Sequence, residues 1–528
     1  MMRIAAVALV GAAVSCGPAG PTHAPMAEPG LERRVAPGAL RGIAQPATET
    51  HAWLGIPYAK PPIGELRWRA PRPPDPWSGM RSAARSGHAC AQLGGFQGPP
   101  LEDAAIGPAR TRGFGQPVGS EDCLTLNVWR PASAEPLPVV VFIHGGSNIA
   151  GYAGDPLYDG AELARRTRTV VVSINYRLGV FGWFLHPALR TGDALDDSGN
   201  LGLLDIIQAL RFVRTEIAAF GGLADQVTVM GQSAGAVNAL SLMVSPLTEG
   251  LFTRVIALSG ALQSKPRADR DGYAQRVFDA LLARTGAREA SLDDAWRRGF
   301  LRGQDTATLV RAAAGISGSG WGTADGTVLP LDVDAAIAAG RLRDVPLIVG
   351  FTRDEGTFFV PDAFAVSEAE RVQAMDAFDP DHPGALGLAD LVKPAYRSAD
   401  AFRARAAQMT EVIHGFVLGT LQRLGPRLAQ VHAMRFDWAR QVEPWRTLLG
   451  ASHAMELPFV FHNFGRHYFS CAFGSANAAG RESLSRRITD SLAAFVRTGD
   501  PDTPSLGAPW RPWRPSAPEV FVWDADRD

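Results

Sequence analysis

Residues 227–244 read VTVMGQSAGAVNALSLMV, a short apolar run that passes through G-x-S-x-G into a helical pattern. The run at 227–230 predicts a buried strand, and residues 236–244, which lack Gly and Pro, predict a helix. A serine on such a strand-to-helix turn stands exposed above a helix N-terminus, where backbone amides favour negative charge. The pattern predicts Ser233 as a nucleophile and the amide of Ala234 as a donor to an oxyanion.

Strand-type runs alternate with longer amphipathic segments along the chain, which indicates a parallel sheet covered on both faces. The clearest runs are 139–143, 170–174, 227–230, 255–258 and 345–349. Residues 201–219 carry apolar side chains at helical spacing and predict a crossover helix. The sequence therefore predicts an α/β fold with its chemistry at the carboxyl ends of the strands. Residues 265–345 and 360–430 are expected to be helical insertions that roof a pocket.

Composition indicates a globular protein with a sizeable core: 46% of the 528 residues are apolar, 20% are charged, and the net charge is −1. The basic residues are scattered, which excludes an electrostatic surface for nucleic acid. No CxxC, His-rich cluster or G-x-G-x-x-G after a strand is present, so neither a metal nor an organic cofactor is expected. One large domain is predicted over residues 37–528.

The N-terminus predicts an export signal over residues 1–16, with Arg3 followed by an apolar stretch too short to span a bilayer. The approach to Cys16 is similar to a bacterial lipobox, whose cysteine is lipidated after cleavage; ordinary secretion with cleavage nearby is the alternative. Residues 17–36 predict a flexible linker. We expect a periplasmic or extracellular protein whose membrane contact is through a lipid anchor at Cys16 alone. Oligomeric state is not predicted.

An acyl-transfer serine needs a base, an acid that orients it, and donors for the oxyanion. Where the serine lies in a G-x-S-x-G turn between a strand and a helix, the acid and then the histidine follow it along the chain. The segment VPLIVGFTRDEG offers both Asp354 and Glu355 after a strand, and the residues alone do not choose between them. Among the histidines that follow, His453 stands in a loop after the strand-like residues 434–438. The other downstream histidines are His382, His414, His432, His462 and His467.

Seven segments, in order, resemble the type B carboxylesterase and cholinesterase family of α/β-hydrolases. They are LGIPYAKPPIGELRWRAP (54–71), SEDCLTLNVWRP (120–131), VFIHGG (141–146), NYRLGVFGWF (175–184), GNLGLLD (199–205), ALRFVRTEIAAFGG (209–222) and GQSAG (231–235). The resemblance covers almost the whole chain. It implies a serine hydrolase that cleaves small-molecule carboxylic esters through an acyl-enzyme, and the N-terminal segment predicts that this hydrolase is exported.

The resemblance also assigns residues. It selects Glu355 as the acid and His453, which opens HAMELPFVF, as the base. It implies that the amides of Gly146 and Ser147, in the turn after an early strand, join Ala234 in an oxyanion hole.

A disulfide follows from the resemblance as well. Cys90, Cys123 and Cys471 permit three pairings, and sequence alone selects none of them. The family pairing implies a Cys90–Cys123 bridge, with Cys471 as a buried free thiol. That loop encloses no Trp, so we do not expect a choline-ester specialist.

Two positions near the site depart from the family pattern, and a third is similar to it. Ser147 stands where many relatives have Gly, and its side chain is expected to limit bulky alcohol groups. Gln232 stands where Glu is common, which removes a negative charge beside the imidazolium and predicts a weaker preference for cationic substrates. Ser259 resembles a serine that supports the acid, with a plain strand-end serine as the alternative.

Two other functions use the same scaffold. Some relatives are adhesion proteins that have lost catalytic residues, but here all three triad positions are filled. Cleavage of lactones, amides or polyesters would use the same machinery, so fold and triad do not separate these reactions.

Overall fold

The computed structural model describes residues 31–101, 110–288, 293–465 and 467–524. The strands in these ranges are β1 (Glu32–Val35), β2 (Gly38–Arg41), β3 (Ile43–Gln45), β4 (Thr50–Pro57), β5 (Met80–Ser82), β6 (Gln92–Leu93), β7 (Pro117–Val118), β8 (Thr125–Pro131), β9 (Leu137–Ile143), β10 (Val170–Ile174), β11 (Gly222–Gln232), β12 (Arg254–Leu258), β13 (Leu347–Thr352), β14 (Val431–Phe436) and β15 (Phe521–Trp523). The α-helices are α1 (Ala161–Thr167), α2 (Gly179–Gly182), α3 (Leu201–Glu216), α4 (Ala234–Val244), α5 (Arg267–Thr285), α6 (Asp294–Arg302), α7 (Thr306–Ala313), α8 (Val333–Ala338), α9 (Glu368–Ala377), α10 (Leu388–Leu391), α11 (Ala399–Leu424), α12 (Trp445–Leu448), α13 (Leu457–Val460) and α14 (Ala478–Thr498).

The centre of the described structure is a ten-stranded sheet in the order β15-β14-β13-β12-β11-β9-β10-β8-β4-β3. From β10 to β15 neighbouring strands are parallel, whereas β3, β4, β8 and β10 pair antiparallel. Every residue of β9 and β10 is buried, as expected of strands covered on both faces. The predicted α/β fold with a mostly parallel sheet is confirmed.

The connections between parallel strands carry the helices. The predicted crossover helix is α3, which runs into a 3-10 turn (Ile217–Phe220) before Gly221 reverses the chain at a φ of 73°. The predicted helical insertions are confirmed as well: α5 to α8 lie between β12 and β13, and α9 to α11 between β13 and β14. In the described ranges, no helix has the length and apolar character needed to cross a bilayer.

The start of the folded domain differs from the prediction. Residues 31–36 were expected to belong to the linker over 17–36, but β1 pairs with β2, and Trp53 Nε1 donates to the carbonyl of Leu31 at 2.8 Å. These residues are ordered although their sequence is short and polar, because their backbone forms a strand of a small sheet that packs against the core. The predicted signal over 1–16, Cys16 and the rest of the linker lie outside the described residues.

A disulfide and a buried ion pair tie segments of the amino-terminal half of the chain to one another. The Cys90–Cys123 disulfide is present, as the resemblance implies, and Cys471 is a buried free thiol whose pKa is raised by burial. Arg177 and Asp205 form a buried ion pair, with Nη2 of the arginine 2.7 Å from Oδ1 of the carboxylate. Breaking one partner of such a pair typically costs about 3–5 kcal/mol.

Candidate active site

Ser233 lies at the sharp turn between β11 and α4. Its φ of 57° and ψ of −126° are unusual for a residue with a side chain, and its amide donates to Leu258 O at 2.8 Å. The two glycines of G-x-S-x-G allow this turn: a Cβ on Gly231 would lie 2.2 Å from Gly235 O, and one on Gly235 would lie 2.0 Å from Ile143 O. The backbone therefore holds the serine where the sequence pattern predicts it.

His453 and Glu355 form a buried pair beside that turn. Nδ1 of the imidazole donates to Glu355 Oε2 at 2.5 Å, and both side chains are nearly inaccessible to solvent. The other carboxylate oxygen accepts from Ser259 Oγ at 2.6 Å and from the amide of Thr352 at 2.9 Å. Burial alone would raise the pKa of Glu355, but the adjoining imidazole and these hydrogen bonds hold that pKa below its ordinary value.

The same geometry separates Glu355 from its neighbour. Asp354 binds Arg353 and accepts from the amide of Ala451 at 2.9 Å, so its carboxylate has a structural role. The remaining downstream histidines contact groups away from the serine: His382 with Asp379, His414 with Thr352 O, His432 with Asp500, His462 with Ser485, and His467 with Asn463 O. Of these six histidines, the structure brings His453 alone to the turn.

Gln232 contacts the catalytic face of the imidazole. Nδ1 of His453 carries the proton of the hydrogen bond to Glu355, so Nε2 of the same ring is an acceptor. Gln232 Nε2 donates to His453 Nε2 at 3.1 Å. The amide is buried with 1% of its surface exposed. The resting imidazole is therefore held by a neutral donor from the residue next to Ser233.

The loop after β9 lies close to the serine, since a Cβ on Gly145 would lie 2.9 Å from Ser233 Cβ. The carbonyl of Gly145 accepts from His144 Nδ1 at 2.8 Å, and the carbonyl of Gly146 accepts from two amides further along the loop at 2.9 Å. In a planar trans peptide the following N–H points away from the carbonyl. The amides of Gly146 and Ser147 are thus turned away from these bonds, while Ala234 is the first residue of α4.

A cavity of about 280 Å³ joins these groups. Ser233, His453, Ser147 and Ala234 line it together with side chains from α11 and with Trp321. Of its lining residues, His453 alone is ionisable. Among the described residues, no group of three or more His, Cys, Asp or Glu side chains could hold a metal ion.

Sequence reasoning missed two residues of this site. Phe359 follows the acid by four residues and packs its ring 4.8 Å from the ring of His453. Glu456 is fully buried near Glu355. The wall that α11 forms in the cavity, by contrast, belongs to the predicted insertion over residues 360–430. Phe358 and Phe359 stand three and four residues after Glu355 and were a usable signal, whereas the burial of Glu456 depends on packing between distant segments.

A serine at a strand-to-helix turn, an imidazole–carboxylate pair and a glycine loop, all at one edge of a parallel sheet, define an α/β-hydrolase of the serine esterase type. The chain belongs to the carboxylesterase family, whose model matches residues 30–527. It is therefore a carboxylic ester hydrolase.

Individual relatives agree with this assignment. The chain is 34% identical to a para-nitrobenzyl esterase of Bacillus subtilis over 93% of this chain and 94% of the relative. It is 32% identical to a cocaine esterase of Homo sapiens over 89% and 83% of the two chains. Among solved structures, a carboxylesterase of Geobacillus stearothermophilus superposes with a TM-score of 0.72 at 31% identity, covering 94% of this chain and 96% of the other.

Proposed function

We propose that Ser233, His453 and Glu355 are the catalytic triad of this esterase and that Gly146, Ser147 and Ala234 form its oxyanion hole. The observation that carries the proposal is the 2.5 Å contact between His453 Nδ1 and Glu355 Oε2, because His453 lines the same cavity as Ser233. Glu355 orients the imidazole and stabilises its positive charge, which is the role of the acid in such triads.

The reaction proceeds in two steps. As substrate enters, the hydroxyl of Ser233 replaces Gln232 at Nε2 of His453 and gives up its proton there while Oγ attacks the ester carbonyl. The amides of the oxyanion hole stabilise the negative oxygen, each being worth about 2.7–4 kcal/mol. The imidazolium then protonates the leaving alcohol, and water attacks the acyl-enzyme with His453 again as base.

The lining of the cavity favours uncharged esters. With His453 as the sole ionisable side chain in its wall, a cationic or anionic substrate would lose hydration without gaining a partner. Trp321 also lines the cavity, but Lys265 Nζ already lies 5.5 Å from its ring centre. A second cation on that ring would be repelled, which supports the expectation that choline esters are poor substrates.

Labelling with a fluorophosphonate tests the triad and separates the esterase from a non-catalytic binding protein. The wild-type protein should form an adduct on Ser233 and hydrolyse p-nitrophenyl butyrate, whereas Ser233→Ala should lose the label and at least about 10⁴-fold in kcat. Ser241→Ala is the matched control, because Ser241 is a buried serine of α4 bonded to Val237 O at 2.8 Å. Equal turnover by Ser233→Ala and wild type would overturn the proposal.

We also propose that the chain is exported and anchored by a lipid on Cys16. The apolar stretch after Arg3, the lipobox-like approach to Cys16 and the disulfide, which suits an oxidising compartment, support this proposal. Mass spectrometry of the mature N-terminus from membranes of an expressing bacterium should find a diacylglyceryl cysteine. Cys16→Ala should move the activity to the soluble fraction. A mature N-terminus without lipid would end the proposal.

A further inference from the structure

One wall of the active-site cavity is built by α11 and continues out to the protein surface. Five apolar side chains of this helix recur at intervals of three and four residues and so share one face. They are Met409, Val412, Ile413, Phe416 and Val417, and we call them the apolar ridge. Val417 is 1% exposed, whereas Val412 and Phe416 are 49% and 52% exposed. The ridge therefore passes from the buried pocket into solvent.

Hydrogen bonds hold the ridge in place relative to the acid of the triad. Thr410 Oγ1 accepts from the amide of Gly356, the residue after Glu355, at 2.8 Å. His414 Nε2 donates to the carbonyl of Thr352 at 2.8 Å, and Thr420 Oγ1 accepts from an amide beyond β12 at 3.1 Å. These contacts tie α11 to the segments that carry the site, so the ridge is a fixed wall.

The size of the cavity leaves the exposed part of the ridge without a role in binding a short ester. At about 280 Å³ the volume of the cavity is slightly below the ~300–1,000 Å³ of most ligand pockets. A short ester fits inside, but a longer chain must extend beyond this volume, and Val412 and Phe416 are half-exposed side chains of the cavity wall. Large apolar side chains that stay half exposed beside a pocket are typical of a surface that binds an apolar partner.

We propose that the apolar ridge binds the hydrocarbon tail of a long-chain ester, so that the preferred substrates are uncharged esters with a long aliphatic group. The proposal rests on the proposed function, because it places the tail relative to an ester bond held at Ser233. Val412 and Phe416 are specificity-determining residues that contact the tail and take no part in the chemistry.

Chain-length kinetics test the ridge. We would measure kcat and KM for p-nitrophenyl acetate, butyrate, octanoate and decanoate below their micelle concentrations, and for a matched series of alkyl acetates by pH titration. In one of the two series the wild-type kcat/KM should rise with length, by up to about fourfold per methylene. In Val412→Ser/Phe416→Ser, kcat/KM for the longest ester should fall about tenfold through KM, and this loss should become smaller with each shorter ester of the series.

The matched control is Leu418→Ser. Leu418 is 37% exposed on the same helix but lies outside the cavity wall, so its profile should follow the wild type. Wild-type and double-variant profiles that superpose in both series overturn the ridge proposal, provided that both proteins share one melting temperature. Failure of the proposed function gives a different result, because Ser233→Ala would then still hydrolyse every ester of both series.

Discussion

Gln232 gives the base of the proposed triad a neutral neighbour. Its side chain donates to His453 Nε2 at 3.1 Å, in a buried place where a carboxylate would instead accept from the protonated ring. In Gln232→Glu the added negative charge stabilises the imidazolium. The acid limb of the kcat/KM profile should therefore move to higher pH, and the ratio of kcat/KM for a choline ester to that for its uncharged 3,3-dimethylbutyl analogue should rise.

Gln263→Glu is the matched control for this prediction. Gln263 also lines the cavity, so the same charge is introduced without contact to the imidazole. This variant should alter the choline preference and leave the acid limb where the wild type has it. An unchanged acid limb in Gln232→Glu would contradict a direct effect on His453.

Glu456 is a buried carboxyl whose charge state should make stability depend on pH. Burial, and then the negative charge of Glu355, raise its pKa to about 8 from an ordinary value of 4.5. Between these two values the folded protein keeps a proton that the unfolded chain releases, so this group makes the free energy of unfolding fall as pH rises. Gln mimics the protonated acid at every pH.

The predicted outcome for Glu456→Gln follows from that difference. Its melting temperature should match the wild type near pH 4.5 and exceed it increasingly towards pH 8, as measured by thermal denaturation across this range. Glu249→Gln, at an exposed glutamate, should follow the wild type throughout. A constant difference between Glu456→Gln and the wild type would show that Glu456 ionises normally.

At the scale of elements, the loop that we propose for the oxyanion hole is held in a strained conformation by α4. Gly146, Ser147 and Asn148 have φ values of 97°, 55° and 57°, and the two residues with side chains cost about 1–3 kcal/mol each there. Asn148 Oδ1 accepts from Asn238 Nδ2 at 2.8 Å, and its Nδ2 donates to Gly320 O at 2.7 Å. The helix that begins at the nucleophile thus also positions the loop.

Removal of that link should weaken catalysis more than binding. In Asn238→Ala the loop loses its tie to α4, so amides that stabilise the transition state are misplaced, and kcat should fall about tenfold with little change in KM. Steady-state kinetics at a temperature well below unfolding measure this. Ser241→Ala, which deletes a buried hydrogen bond one turn along the same helix, should keep kcat within twofold. Equal losses in the two variants would indicate general destabilisation of α4.

Elements with a strong local pattern were predictable from the sequence, and contacts between distant segments were not. Residues 170–174 form the predicted strand. Strand β11 begins earlier than the predicted run at 227–230, at Gly222, and its register with β9 shifts between Gly222 and Val227, which the apolar pattern of the sequence does not indicate. The residues alone did not choose between Asp354 and Glu355 as the acid, because only the fold shows that the side chain of Glu355 turns inward. The contact of Gln232 with His453 joins residues 221 positions apart, for which no local pattern exists.

At the scale of the whole molecule, strand order assembles the site. β11, β12 and β13 are neighbouring parallel strands, and β14 follows them in the sheet. Ser233 follows β11, Ser259 follows β12 and Glu355 comes after β13, while His453 reaches the same edge through the segment after β14. Because parallel strands end together, residues separated by more than two hundred positions meet without any long-range signal in the sequence.

The disulfide is the one covalent tie across this assembly within the described residues. It joins cysteines 33 positions apart in a loop that contributes nothing to the lining of the active-site cavity. Chain entropy predicts that Cys90→Ala/Cys123→Ala lowers the free energy of unfolding by about 3–4 kcal/mol. Because the site lies elsewhere, kcat/KM for a short ester should stay within twofold of the wild type.

Urea denaturation with and without dithiothreitol measures this stabilisation and separates it from loss of core packing. Reductant should lower the unfolding midpoint of the wild type to that of the double variant, and the double variant itself should not respond. Cys471→Ala removes a buried thiol that forms no disulfide, so any stability that this variant loses comes from the cavity that the substitution leaves. The unfolding midpoint of Cys471→Ala should still fall with reductant. A wild-type midpoint that ignores reductant after full reduction, verified by thiol counting, would show that noncovalent contacts alone hold the loop.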